Sequence, residues 1–357
     1  MGLEKQQQKG PSIDIASRKI VLAAYLAHWQ NSSGYWRWDG WSWNGCGESH
    51  NPDNIKANGL RDIASIYYPL VGPYDDRDLA IQQYHMRLAK ASGIDAFIVD
   101  WYGITEHGDF PRINSNFQRM LKLAENLDFG LAIEYDAYRF YLGSTGPGTA
   151  VIPNRADAIR QIHDDLRYVI QQFAASRVYL KFNGRPVIFV FGSEVLTPSE
   201  WAGIIESLQA EGHQAYFIRN YANFRYYPAF NSFFPWIGAH DIVLNHADPI
   251  AWLNQAAEEL RAFSESHGIE WGLNVWPGFD STPVADWCYG LGKIQIDRQG
   301  SLLYNKTWNA AIRNSPQWIE ISTFNDWNEG TTVEPTIEYH YQYLYATAYY
   351  SAQFKQH

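Results

Sequence analysis

The chain has 357 residues, of which 46% are hydrophobic and 18% charged, and no apolar run is long enough to span a bilayer, so the composition describes a globular protein with a large core. With 38 acidic against 28 basic residues and a formal net charge of −10, it lacks the basic surface that nucleic-acid binding requires. The aromatic content, 16% with 15 Trp and 24 Tyr, points instead to a glycan partner, because flat apolar faces with polar edges suit sugar rings.

Residues 1–18 are polar, lack the apolar centre of a secretory signal and read as a disordered lead-in. The compartment stays open: secreted or periplasmic if a leader has been removed, cytoplasmic otherwise. From residue 19 to 357 the chain reads as one catalytic domain. Apolar runs suited to buried strands occur at 19–27, 95–102, 129–136, 186–192, 215–221, 241–246, 270–278 and 318–326. Amphipathic stretches at 76–92, 115–126, 155–175, 199–211, 249–267 and 305–314 alternate with them. Thr197 before Pro198 and Asp248 before Pro249 are helix starts, and Gly93, Gly212 and Gly268 are helix stops. Strand and helix alternation without a linker predicts an α/β fold, a single (β/α)8 TIM barrel with long loops at its C-terminal face.

In such a barrel the strand C-termini converge on one mouth. That rule nominates His28 and Trp29, Asp100, Trp101 and Tyr102, then Glu134, Tyr135 and Asp136, then Asn220 and Tyr221, Asn245 and His246, Trp276, and finally Asp326 to Glu329. The long stretch Gln30 to Asn54 carries four tryptophans. Trp36 and Trp38 are expected as sugar platforms on the rim, the alternative being a self-packed hydrophobic lid. The segment "STFNDWNEGTTVEP" places Asp326, Glu329 and Glu334 within nine residues after the run "WIEIS". Glycosidic bond cleavage needs one carboxyl to protonate the leaving oxygen and another to act as base or nucleophile, and neighbouring carboxylates separate each other's pKa values. The alternative is a pair of acids that cap a helix or close a loop. "DDRD" (Asp75 to Asp78) begins a helix, where acids favour the positive dipole end, and no metal or cofactor is expected. Cys46 and Cys288 are either two free thiols or one disulfide.

The segment Tyr67 to Gly103, with "YYPLVGPYDDRD" and "FIVDWYG", together with "AIEYDAYR" (Ala132 to Arg139) and "ISTFNDWNEGTTVEP", resembles glycoside hydrolase family 99, the endo-α-mannosidase and endo-α-mannanase family. The likeness spans roughly residues 20–350. It implies a retaining, metal-independent endo-glycosidase in which a base deprotonates the sugar 2-hydroxyl, which attacks the anomeric carbon, while an acid protonates the leaving group. Carried over by position, Asp326 is the base, Glu329 the acid/base, and Glu334 orients the turn. Glu134 lies near the −1 sugar, and Tyr68, Trp101 and Tyr102 line the site. The chain departs from the family pattern at Asp326 where the family has Glu, at Asn328 where it has His, at Asp100 where it has Ser and at Asp136. Two alternatives stay open: a non-catalytic carbohydrate-binding barrel or polysaccharide-synthesis accessory protein, and an α-1,3-glucanase like those of family 71.

Overall fold

The computed structural model describes residues 13–31, 37–140, 152, 154–284 and 294–356. Eight strands form the barrel: β1 (Ile20–Leu26), β2 (Ala96–Trp101), β3 (Gly130–Asp136), β4 (Arg185–Phe191), β5 (Tyr216–Asn220), β6 (Ser232–Phe234), β7 (Gly272–Val275) and β8 (Trp318–Ile321). All neighbours pair in parallel, in the order β7-β8-β1-β2-β3-β4-β5-β6. A parallel bridge from Phe233 to Trp271 joins the two ends and closes the ring. The fold is the (β/α)8 barrel expected from the sequence.

Alternation along each strand divides the core. Leu22, Ile98, Ala132, Phe189, Ile218, Phe234 and Trp318 pack inside the barrel, whereas Val21, Phe97, Ile133, Val190, Leu273 and Ile319 face the helices. Both faces are covered, which is why the strands read as continuous apolar runs. Gly272 has no side chain because the Trp318 indole fills that space, with a ring atom 2.2 Å from where a Cβ would sit. Residues 13–18, expected as part of a loose lead-in, instead help to plug the barrel's N-terminal end. Ile15 is fully buried, its N–H donates to the Lys181 carbonyl at 2.8 Å, and its own carbonyl accepts from the Gln317 amide at 2.6 Å.

The outer helices are α1 (Leu79–Ala91), α2 (Phe110–Leu127), α3 (Arg155–Gln172), α4 (Pro198–Ala210), α5 (Ala239–Leu244), α6 (Pro249–His267), α7 (Leu302–Asn314) and α8 (Gln342–Phe354). Thr197 and Glu200 form a capping box on α4, Asp248 caps α6 through the N–H groups of Ile250 and Ala251, and Gly268 ends α6 at φ 63°. One predicted strand is wrong. Residues 241–246 fall on α5 and its C-terminus, and the sixth barrel strand is Ser232–Phe234. Three residues are too few to show a period, and "DIVL" fits one helical turn as readily as a strand.

Candidate active site

The segment after β8 folds back on itself as a compact turn. Thr323 Oγ1 accepts the Asp326 N–H at 2.8 Å, and Asp326 Oδ1 accepts the Glu329 N–H at 3.0 Å. The two predicted acids are therefore joined directly, side chain to backbone, and Asp326 does close the loop as well as sit at the mouth. Asp326 is 7% exposed. Burial lifts its carboxyl to about 6, against the opposing backbone N–H groups of Glu329 and Asn328. Glu329 is half-buried, and its carbonyl accepts the Asp280 N–H at 2.7 Å from the loop after β7. Gly330, at φ 58°, lies so close to that loop that a Cβ would stand 3.1 Å from the Asp280 carbonyl oxygen.

Behind the turn lies a buried hydrogen-bond network. The Tyr74 hydroxyl donates to Glu334 Oε2 at 2.8 Å and accepts from the Asn325 amide at 3.2 Å and the Trp327 indole N–H at 3.1 Å. Glu334 Oε1 is 3.1 Å from His85 Nε2, and His85 Nδ1 is 3.0 Å from the Tyr25 hydroxyl. Asn325 also bonds both backbone groups of Leu26, extending the β8 to β1 seam past the last ladder pair. Glu334 thus braces the turn from behind. Asn328 donates its amide to the carbonyls of Gly40 and Ala64, so it anchors neighbouring loops. Sequence reasoning missed Arg298, which is 1% exposed, donates to the carbonyls of Gly330 and Thr332 at 2.8 Å each and lies 4.1 Å from the Tyr67 ring centroid.

Inside the barrel, Asp100 and Glu134 are register partners on β2 and β3 and follow the inward alternation of Ile98 and Ala132. The Asn220 amide of β5 donates to Glu134 Oε1 at 2.6 Å. Burial raises the Glu134 carboxyl to about 8, with the Asn220 hydrogen bond lowering it and the charge of Asp136 raising it. The Tyr102 hydroxyl donates to Asp100 Oδ2 at 2.5 Å. Tyr221, which follows β5, is within electrostatic reach of both groups of acids. Burial, then the charges of Tyr138, Glu194, Glu329 and Glu134, push its hydroxyl well up.

Other predicted residues lie elsewhere. Trp101 and Tyr135 alternate outward: Trp101 is fully buried and stacks on Tyr168 of α3, and the Tyr135 hydroxyl donates to Asp165 of α3 at 2.9 Å. Trp276 is fully buried against Trp252 of α6. Asn245 is exposed at the C-terminus of α5, since the strand assigned to it does not exist. Tyr68 is half-buried, and its hydroxyl accepts the Arg61 N–H at 3.4 Å. Trp38 is 5% exposed, donates to Asp53 and packs with Trp29, Trp41, Tyr74 and Trp327, so the loop core is self-packed at this position. Trp36 lies outside the described residues. Cys46 is disulfide-bonded, and Cys288, the only other cysteine in the sequence, lies outside the described residues.

Asp75 to Asp78 serve structure: Asp78 caps α1, Asp75 pairs with Arg77, and Asp76 accepts the Trp29 N–H. Among the described residues no group of three or more His, Cys, Asp or Glu is arranged to hold a metal ion, and no helix is long and apolar enough to cross a membrane. A surface cavity of about 350 Å³ lies between the loops after β4 and β5, lined by Arg155, Glu194 and Arg225 among others. It contains none of the predicted acids.

The model of glycosyl hydrolase family 99 matches residues 23–354. The chain is 22% identical over 316 residues to a glycoprotein endo-alpha-1,2-mannosidase of Xenopus laevis, covering 82% of this chain and 61% of that protein. It is 20% identical over 292 residues to the mouse protein of the same name, covering 77% and 58%. The chain therefore spans about three fifths of the length of these curated relatives. Among solved structures, the family 99 endo-alpha-mannosidase of Bacteroides thetaiotaomicron bound to bis-tris propane superposes with a TM-score of 0.73 at 18% identity, covering 97% of this chain and 98% of that one.

Proposed function

The chain belongs to glycosyl hydrolase family 99, and from that premise we propose that it is an endo-acting, retaining glycosidase that cleaves an α-linked, α-mannan-like glycan through Asp326 and Glu329. The observation that carries this is the β8 turn, where a buried carboxyl and a half-buried one, linked by the Glu329 N–H to Asp326 Oδ1 bond, occupy the C-terminal end of the barrel. Catalytic groups of (β/α)8 enzymes occupy that end. The activity in the names of the Xenopus and mouse relatives, endo-alpha-1,2-mannosidase, supports the same bond class.

In this reading Asp326 is the base. A carboxyl held at about 6 is mostly ionised at neutral pH yet far more basic than an exposed aspartate. It removes the proton of the sugar 2-hydroxyl, whose oxygen bonds to the anomeric carbon as the glycosidic C–O bond breaks. Glu329 gives its proton to the departing oxygen. Water then opens the 1,2-anhydro sugar, losing its proton to Glu329 while Asp326 returns one to the 2-oxygen. Two displacements at one carbon retain its configuration. Glu134, steadied by Asn220, receives hydroxyls of the −1 sugar, with Asp100 beside it.

The test is product release from a panel of α-mannans and α-glucans, followed by NMR of the first-formed anomer, with Asp326→Asn and Glu329→Gln as controls. Oligosaccharides of retained configuration, lost in both variants, are expected. Binding without cleavage by the wild type would contradict the catalytic reading, and an inverted anomer would contradict the mechanism.

A further inference from the structure

One buried acid has no part in this mechanism. Glu320 lies in the middle of β8, where the inward alternation set by Trp318 carries its side chain into the barrel. It is 0% exposed, and neither carboxyl oxygen has a hydrogen-bonding partner among the described residues. Its register neighbour on β7, Asn274, is also fully buried, with neither amide atom partnered among the described residues, and its neighbour on β1 is Leu22. Among the described residues the charged group that acts on it is Glu134, on β3, which has Asp136 beside it and Asp100 as its partner on β2. Buried polar groups left without partners are rare in folded proteins and call for a specific explanation.

We propose that Glu320 is a positioning residue of the sugar site: it retains its proton behind Glu134, so that Glu134 is the one member of the pair that ionises. This rests on the assignment of Glu134 to the −1 sugar. The surroundings of the two acids are unequal. Glu134 accepts a 2.6 Å hydrogen bond from Asn220, which favours its ionised form, and is slightly exposed. Among the described residues no donor stands within normal hydrogen-bond geometry of Glu320, the nearby Ser322 hydroxyl included, and a bare carboxylate in that place is strongly disfavoured. Burial, and then the charge of Glu134, raise the Glu320 carboxyl far above the ordinary carboxylate range, and the nearby Ser322 hydroxyl acts the other way. Two interacting acids titrate as a unit, so loss of the first proton, from Glu134, holds the second more firmly on Glu320. A neutral Glu320 lets Glu134 accept a sugar hydroxyl without a like charge behind it. Loss of the second proton would set two carboxylates against each other and weaken binding.

The experiment is an infrared pH titration of the unliganded protein, following the stretch of protonated carboxyl groups in wild type, Glu320→Gln and Glu134→Gln. Because burial also raises the carboxyl of Asp76, the band is read from the wild-type minus Glu320→Gln difference spectrum. The expected result is a difference band that persists above the Glu134 transition at about pH 8, and a Glu320 band that titrates at lower pH in Glu134→Gln, where the facing charge is gone. No difference band, or a midpoint that does not move in Glu134→Gln, would overturn the proposal. In glycan cleavage assays the wild-type KM should rise on the alkaline side by about tenfold per pH unit and that limb should be absent in Glu320→Gln. A limb that is unchanged in the variant counts against the proposal, since a purely structural residue would not move it. The spectra need no turnover: a wild type that cleaves nothing would count against the glycosidase reading and leave the titration to decide Glu320.

Discussion

The β8 turn and the tryptophan-rich stretch Gln30 to Asn54, described from Arg37 onward, look alike as sequence, both carrying Trp, Asn and acids, yet the fold uses them in opposite ways. In the turn, Trp327 is fully buried while Glu329 is half-buried. In the loop, Trp38 and Trp41 close on Trp29, Tyr74 and Trp327 to make a small core against the back of the turn. Gly40, at φ 77°, allows this approach, since a Cβ there would stand 2.6 Å from the Trp29 ring. An aromatic cluster without a period is thus no sign of a sugar platform by itself. What separates the two segments is which side chains the backbone hydrogen bonds leave over.

The comparison can be broken most severely at the acids. Asp326→Asn or Glu329→Gln should lower kcat by about a hundredfold to ten-thousandfold with the fold intact, as measured by turnover and circular dichroism. Trp41→Ala should act through stability, costing about 3 to 5 kcal/mol in denaturant unfolding, because Trp41 is fully buried and its indole donates to the Tyr74 carbonyl. Tyr74→Phe should cost about 1 to 3 kcal/mol and lower kcat as well, since Asn325, Trp327 and Glu334 all lose a partner at once. Trp43→Ala, at a half-buried position of the same loop, should stay within about 1 kcal/mol.

Acidity sharpens the contrast, because Asp326 is raised from 3.8 to about 6 and the folded protein holds that proton more tightly than the unfolded chain. The associated stability is complete below about pH 3.8 and is lost as pH climbs through about 6. Asp326→Asn, which cannot ionise, should therefore unfold later than wild type at pH 8, by on the order of 3 kcal/mol, while being inactive. The same ionisation should give wild-type kcat/KM a rising limb near pH 6.

Much of the barrel was legible because strands buried on both faces show as apolar runs, and β1 to β5, β7 and β8 were found near their true positions. β6 was not, since "SFF" is too short to stand out beside "DIVLNH". The rule of reading strand ends nominates Asp100 and Glu134, which alternate inward, together with Trp101 and Tyr135, which alternate outward. Adjacent residues on a strand face opposite sides, and only the inward partners reach the mouth. Glu320 stands out in the sequence as a lone acid between Ile319 and Ile321 in an otherwise apolar run. Arg298 and the Tyr74 hydroxyl join segments far apart in sequence, and no local pattern announces them.

The claim that Asp326 and Glu329 flank the scissile bond is tested most directly by the crystal structure of the Glu329→Gln protein with an uncleaved α-linked oligosaccharide. The −1 sugar should place its 2-hydroxyl within about 2.6 to 3.2 Å of the Asp326 carboxylate and its glycosidic oxygen beside Gln at position 329. A bound glycan whose scissile bond lies out of hydrogen-bonding reach of both positions would contradict it.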